Sequence, residues 1–254
     1  MMVLLIDIGN SFISTCCINK KKIIRYSFKN NKSLSISEEL KMLIRYYEKN
    51  NIKTNSAVIC SVVPLLDKVF LEFFKKLKYD LLFVNNITNK LNIKTNIKEK
   101  KKIGSDRLVN AYYTIKKFAP PALIIDLGTA TTLDYINEKN TYEGGIILPG
   151  IDISLNALNI YTAKLPKVSF KRTDKLISNT TNGAISSGFY WGYHCMIEGL
   201  IKKIKKVKNK NIKVILTGGY AKYFKKNNFI NLIDRDLTMK GLYLIYETFR
   251  QKSK

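Results

Sequence analysis

The chain has 254 residues, enough for one large domain or two small ones, with a core that needs no disulfide or metal staple. Apolar residues make up 46% and charged residues 25%, an ordinary balance for a soluble folded protein, yet 44 Lys+Arg against 19 Asp+Glu leave a net charge of +25. A single histidine, His194, excludes zinc sites built on several histidines. Four cysteines, two of them adjacent (Cys16, Cys17), form no disulfide framework and suit a reducing cytosol.

In chain order, Met1–Ile6 is apolar but meets Asp7 without a basic lead or a cleavage pattern, and no later run approaches the ~20 apolar residues of a spanning helix. Export and membrane insertion are therefore not expected. Val3–Ile8 reads as a strand buried on both faces, ending in Asp7-Ile8-Gly9 and followed by a second β-rich stretch, Phe12–Ile18. Ser35 and Glu38 form a capping box before a helix with Leu40, Leu43, Ile44 and Tyr47 on one face. Ala57–Val62 is a buried strand, and Pro64 opens a helix carrying Val69, Phe70, Phe73, Phe74 and Leu77. Gly104 or Ser105 starts another helix, through Leu108, Ala111, Tyr112 and Ile115.

Leu123–Thr131 then repeats the opening pattern: an apolar run, Asp126-Leu127-Gly128, a hydroxyl residue, and a second strand. Glycines flank a short strand in Glu143–Gly150, and a helix follows through Ile153, Leu155 and Leu158. Residues from about Ala184 to Val207 form one long helix. Val214–Leu216 is a strand running into Gly218-Gly219 and a helix at Ala221–Phe224, and Leu242, Ile245, Tyr246 and Phe249 mark a closing amphipathic helix. Strands alternating with helices give an α/β class. The doubled motif implies two similar lobes, 1–120 and 121–254, meeting near Pro120-Pro121.

An Asp-x-Gly turn after a buried strand offers backbone N–H groups, a hydroxyl and a hard carboxylate oxygen, a set suited to phosphate and a metal ion. One such turn is commonplace; two after near-identical strands point to paired hairpins facing a nucleotide's phosphates across a cleft. Gly218-Gly219 suits either a flat ring against backbone or a tight strand exit. Gly104-Ser105-Asp106-Arg107 accommodates simple helix capping, or Asp106 as a base for a hydroxyl with Arg107 as an anion clamp. No P-loop, Rossmann or protein-kinase signature is present.

Together these segments resemble the type III pantothenate kinases, members of the acetate kinase, sugar kinase, Hsp70 and actin superfamily. The carriers are Asp7–Ser11, Gly104–Ala111, Asp126–Thr132, Gly144–Gly150, Ala163–Pro166, and Thr181 ahead of Ala184-Ile185 and Gly188. The resemblance implies two ribonuclease-H-like lobes of actin-like ATPase fold with the active site in the cleft between them. It further implies a cytoplasmic homodimer that phosphorylates pantothenate with ATP in the first step of coenzyme A synthesis. By the same resemblance, Asp7, Ile8, Gly9, Asn10, Ser11, Phe12, Ile13 and Ser14 hold the ATP phosphates and Mg²⁺, and Thr129 contacts ATP. Asp126 holds a monovalent cation (K⁺ or NH₄⁺). Asp106 takes the proton of the pantothenate hydroxyl, and Ile97, Gly104, Ser105, Arg107 and Thr181 line the pantothenate pocket. Ile97 stands where the family usually has an aromatic residue, and Glu99-Lys100 where it has Asn-Pro.

The charge admits a different reading, a nucleic-acid-associated protein of the same fold. The lysine runs (Lys20–Lys22, Lys100–Lys102, Lys202-Lys203, Lys205-Lys206) lack the arginine and aromatic interleaving of a reading surface, so we read them as compositional drift that supports only nonspecific electrostatic binding. A sugar or acetate kinase of the superfamily is the remaining alternative.

Overall fold

A computed structural model describes residues 2–19, 22–30, 36–208, 211–224 and 228–251. Its strands are β1 (Val3–Ile8), β2 (Phe12–Asn19), β3 (Lys22–Lys29), β4 (Ser56–Ser61), β5 (Asp80–Phe83), β6 (Lys94–Thr95), β7 (Ala122–Leu127), β8 (Ala130–Ile136), β9 (Thr141–Pro149), β10 (Lys213–Thr217) and β11 (Leu232–Ile233). Its helices are α1 (Ile36–Lys49), α2 (Pro64–Lys76), α3 (Ser105–Lys117), α4 (Ile151–Ile160), α5 (Thr181–Lys208) and α6 (Leu237–Gln251). Ser35 and Lys20-Lys21 lie outside the described residues, so the capping box has no structural counterpart here.

The chain forms two compact units. One comprises Met1–Ile93, Lys98–Lys116 and Leu237–Lys254; the other comprises Lys94–Ile97 and Lys117–Asp236. The boundary expected at residue 120 is corrected at its far end, because α6 belongs with the first unit. The physical reason is its apolar face: Leu242, Ile245 and Tyr246 share a buried cluster with Val3, Leu5 and Val58 of β1 and β4.

In the first unit the sheet order is β3-β2-β1-β4-β5, with β1, β2 and β3 antiparallel and β4 and β5 parallel to β1. The second sheet runs β11-β10-β7-β8-β9-β6, with β7, β8 and β9 antiparallel, and β10 and β11 parallel to β7. Counted in chain order within each unit, both sheets read third, second, first, fourth, fifth; β6 is an added edge strand, parallel to β9. The sequence repeat is thus a repeat of topology.

The period-two alternation of β1 divides its side chains between two cores. Leu4, Ile6 and Ile8 pack with Leu40 and Leu43 of α1 and Phe70 and Phe74 of α2. Val3 and Leu5 pack on the opposite side, with Val109 and Tyr112 of α3 and with α6. In the second unit Leu123, Ile125 and Leu127 of β7 join Ile151 and Leu155 of α4 and Ile185, Tyr190, Ile197 and Ile201 of α5. One carboxylate, Asp134, is buried among strands, where it accepts hydrogen bonds from the Tyr142 hydroxyl at 2.6 Å and from Thr132 at 3.3 Å.

Two local expectations are revised. Gly144 and Gly145 lie inside the nine-residue β9, where pairing with β8 shifts register near Tyr135/Ile136 and Gly144 takes φ 112°. Ala221–Phe224 closes as a single 3-10 turn, its Ala221 and Phe224 side chains buried in the core.

Phe74 is fully buried, with Phe70, Phe73 and Tyr79 as ring neighbours. Phe74→Ala is expected to lower unfolding free energy by about 3–5 kcal/mol in urea titrations followed by circular dichroism; a loss below about 1 kcal/mol contradicts this packing.

Candidate active site

The site in the first unit is built at the carboxyl ends of β1 and β4. Asp7 and Cys60 are register partners across the parallel β1–β4 pair, and the Cys60 thiol donates to Asp7 Oδ1 at 3.2 Å. Alternation puts Asp7 on the same side of β1 as Val3 and Leu5, the side covered by α3 and α6. After Ile8 the chain turns tightly, Gly9 N donating to Phe12 O at 3.0 Å, and Asn30 closes the turn by donating its side-chain amide to Gly9 O at 3.1 Å.

The start of α3 is pinned to the end of β4. The Ser105 hydroxyl donates to Ser61 O at 2.7 Å, and Asn85 brackets the same residue, donating to Ser61 O at 2.8 Å and accepting from Ser61 N at 3.1 Å. Asp106 follows in the first turn of α3, where its Oδ1 accepts from Arg107 N at 2.7 Å. A Cβ at Gly104 would stand 2.6 Å from Asp106 Oδ1, so any larger residue there would displace that carboxylate.

Asp7 and Asp106 are near enough to interact electrostatically. Burial, and then the Asp106 charge, push the Asp7 carboxyl up from 3.8 to about 7, against the lowering effect of the Cys60 hydrogen bond. Burial and the same two carboxylates push the Cys60 thiol well above its ordinary range. A buried carboxyl held at such cost beside a second one, at the end of a buried strand, marks a candidate functional site.

The second unit repeats the arrangement. β7 has the same burial pattern as β1, with Asp126, like Asp7, the half-buried position one residue before the strand end. Gly128 N donates to Ala130 O at 3.1 Å across the turn that carries Thr129. Gly218, at the exit of β10, takes φ 91°, and a Cβ there would lie 2.5 Å from Asp126 Oδ1 and 2.6 Å from the Leu127 backbone. Gly218 therefore lets backbone close over Asp126, whereas a Cβ at Gly219 would meet open space. Tyr220, just beyond, donates to Asp152 Oδ1 at the start of α4.

Of the other expected residues, Ile8 and Ile13 turn their side chains into the core and offer a ligand only backbone. Asn10 and Phe12 are exposed, while Ser11 and Ser14 are half-buried. Ser105 commits its hydroxyl to Ser61, so it holds the helix start. Ile97, in the second unit, packs beside Gly144, 3.7 Å from the place of a Cβ. Thr181 is exposed as the first residue of α5, directly after Thr180, whose hydroxyl caps the helix by accepting from Gly183 N at 3.2 Å. Cys60 was missed; the signal was its place near the end of a buried run, but only strand register sets it against Asp7. His194 lies apart from these groups, packed against Trp191, Phe224 and Phe229.

Doubled sheets of this strand order, each with an Asp one residue before the end of its first strand and a glycine turn after it, define the actin-like ATPase and sugar kinase class, with two ribonuclease-H-like lobes. Solved structures agree on the fold. A Campylobacter jejuni protein assigned to the Baf family of transcriptional activators matches with TM-score 0.61 at 20% identity, over 98% of this chain and 99% of that one. The activator of 2-hydroxyisocaproyl-CoA dehydratase from Clostridium difficile, solved with ADPNP, matches with TM-score 0.53 at 11% identity, over 100% and 97%. The type III pantothenate kinase family model matches residues 3–203. The type III pantothenate kinase of Persephonella marina is 39% identical over 251 residues, covering 96% of this chain and 98% of the relative. The chain belongs to the type III pantothenate kinase family.

The raised Asp7 sets a stability signature. Between pH 3.8 and about 7 the Asp7 carboxyl is more protonated in the folded chain than in the unfolded one, so its contribution to stability falls as pH rises through that window and levels off above it. Asp7→Asn removes this loss. In metal-free buffer, urea titrations should show it gaining on wild type by about 2 kcal/mol between pH 4.5 and pH 8. Parallel pH profiles for the two proteins would contradict the assignment.

Proposed function

We propose that this chain transfers the γ-phosphoryl group of ATP to the primary hydroxyl of pantothenate, forming 4'-phosphopantothenate, the first step of coenzyme A biosynthesis. Family membership supports the reaction. The observation that carries the site assignment is the Asp7–Cys60–Asp106 group at the end of the first sheet. Phosphoryl transfer needs little covalent work from a protein: it needs reactants aligned and charge neutralised.

Asp106 is the acceptor for the hydroxyl proton, placed by the Ser105–Ser61 tie and shielded from crowding by Gly104. Arg107, in the same turn, attracts the pantothenate carboxylate, with Ile97 and Thr181 as further substrate contacts. The turn from Asp7 to Ser14, and Thr129 in its counterpart, bind ATP through backbone N–H groups and hydroxyls.

The residues fit Mg²⁺. Two interacting carboxyls, one of them pushed up by burial and then by its neighbour, are relieved by a divalent cation. Among the described residues no three His, Cys, Asp or Glu side chains form a metal cage, which suits an ion ligated mainly by water and phosphate oxygens. Asp7 would hold it, and what it supplies when bound is neutralisation of phosphate charge. Asp126 fits a monovalent cation, K⁺ or NH₄⁺, because glycine backbone closes over its carboxylate where a Cβ would collide.

The working form is a cytoplasmic homodimer. Among the described residues no helix is long and apolar enough to cross a membrane, and the cysteines are free thiols. Large apolar side chains stay exposed on the second unit, among them Ile160, Tyr161, Leu176 and Ile177, which supports self-association there. Light scattering should return twice the chain mass, and Tyr161→Glu with Ile177→Glu should shift it toward one; a wild-type monomer sinks this part.

ATP consumption in a coupled assay should require both pantothenate and K⁺ or NH₄⁺. Asp106→Asn should reduce kcat by about 10²–10⁴-fold. Sugar-dependent turnover without any pantothenate-dependent turnover, or near-normal rates for Asp106→Asn, would overturn the reading.

A further inference from the structure

Asp7 has a like-charged neighbour, Asp106, and repulsion between the two favours any rotation of the Asp7 carboxylate away from it. One contact opposes that rotation. Cys60, fully buried on the adjacent strand, donates its thiol proton to Asp7 Oδ1 at 3.2 Å. Since an ionised carboxylate only accepts hydrogen bonds, the sulfur serves it solely as an S–H donor. Backbone register holds sulfur and carboxylate together: Asp7 and Cys60 are paired residues of one parallel ladder, and the next pair, Ile8 and Ser61, leads into the peptide that anchors α3.

We propose that Cys60 is a positioning residue, whose thiol fixes the Asp7 carboxylate through Oδ1 and so leaves its other oxygen oriented for the Mg·nucleotide. The inference rests on the assignment of Asp7 in the preceding subsection. It gives a chemical purpose to a cysteine that otherwise reads as small core filling beside Val58 and Leu5.

Three substitutions separate donor from filler. Ala and Ser at residue 60 have nearly the same volume and differ by a hydroxyl, whereas Val fills the place of the thiol with somewhat greater bulk and lacks a donor. Each variant is compared with wild type by calorimetric affinity for Mg·ADP, by kcat and by KM for pantothenate, with apo melting temperature as the folding control. Cys60→Ala should weaken Mg·ADP binding about tenfold and lower kcat comparably, with KM for pantothenate little changed. Cys60→Val should behave like Ala, and Cys60→Ser should recover the larger part of both losses.

Equal behaviour of Ser and Ala, or a Val variant matching wild type, overturns the proposal in favour of packing; if Ala does not fold, the Val and Ser pair decides. Asp7→Asn separates the two levels of inference. If it weakens Mg·ADP binding and Cys60→Ala and Cys60→Val do not, the thiol's role alone fails. If it binds Mg·ADP as wild type does, the assignment of Asp7 fails, and the proposal with it.

Discussion

At Ser61 three segments of the first unit are tied to one residue. It pairs with Ile8 across the β1–β4 ladder, its amide donates to Asn85, and its carbonyl accepts from both Asn85 and the Ser105 hydroxyl. Everything specific about the site depends on this junction. The ladder sets Asp7 against Cys60, and the Ser105 tie holds the helix turn that bears Asp106. Saturating a strand-end carbonyl with two donors also removes an acceptor that would otherwise compete for water beside the reacting groups.

The junction works because it lies between two cores. β1 and β4 are covered on one side by α1 and α2 and on the other by α3 and α6, so the strands have little freedom to shift. On that rigid base the unit holds two mutually repelling carboxyls, at a cost that rises with pH. Strain of this kind is expected where a ligand supplies the missing countercharge. The second unit shows the same economy with different parts: one carboxylate, Asp126, enclosed by the glycine exit of a neighbouring strand.

The fold alone would not have decided between activities. Structures similar in chain trace at 20% and 11% identity carry quite different descriptions, a transcriptional activator and a dehydratase activator among them. What sets this chain within its family is likeness of sequence, with the family model matched over residues 3–203 and a relative 39% identical over 96% of the chain.

Continuous apolar runs and Asp-x-Gly turns are local signals, so the two central hairpins, the helices α1, α2, α3 and α5, and the acids Asp7, Asp106 and Asp126 were legible from the amino-acid order alone. Strand β3 was not: Lys22–Lys29 mixes basic and apolar residues, and only its ladder with β2 makes it a strand. The same holds for the short edges β6 and β11, whose pairing partners are distant in sequence. The apolar stripe of α6 announced burial without naming a partner, and long-range packing assigned it to the first unit. Cys60 shows the limit most sharply, because its sequence context is that of any core strand. A hydrogen bond between residues 7 and 60 depends on strand register, and register is settled by the whole set of side chains that must be buried together.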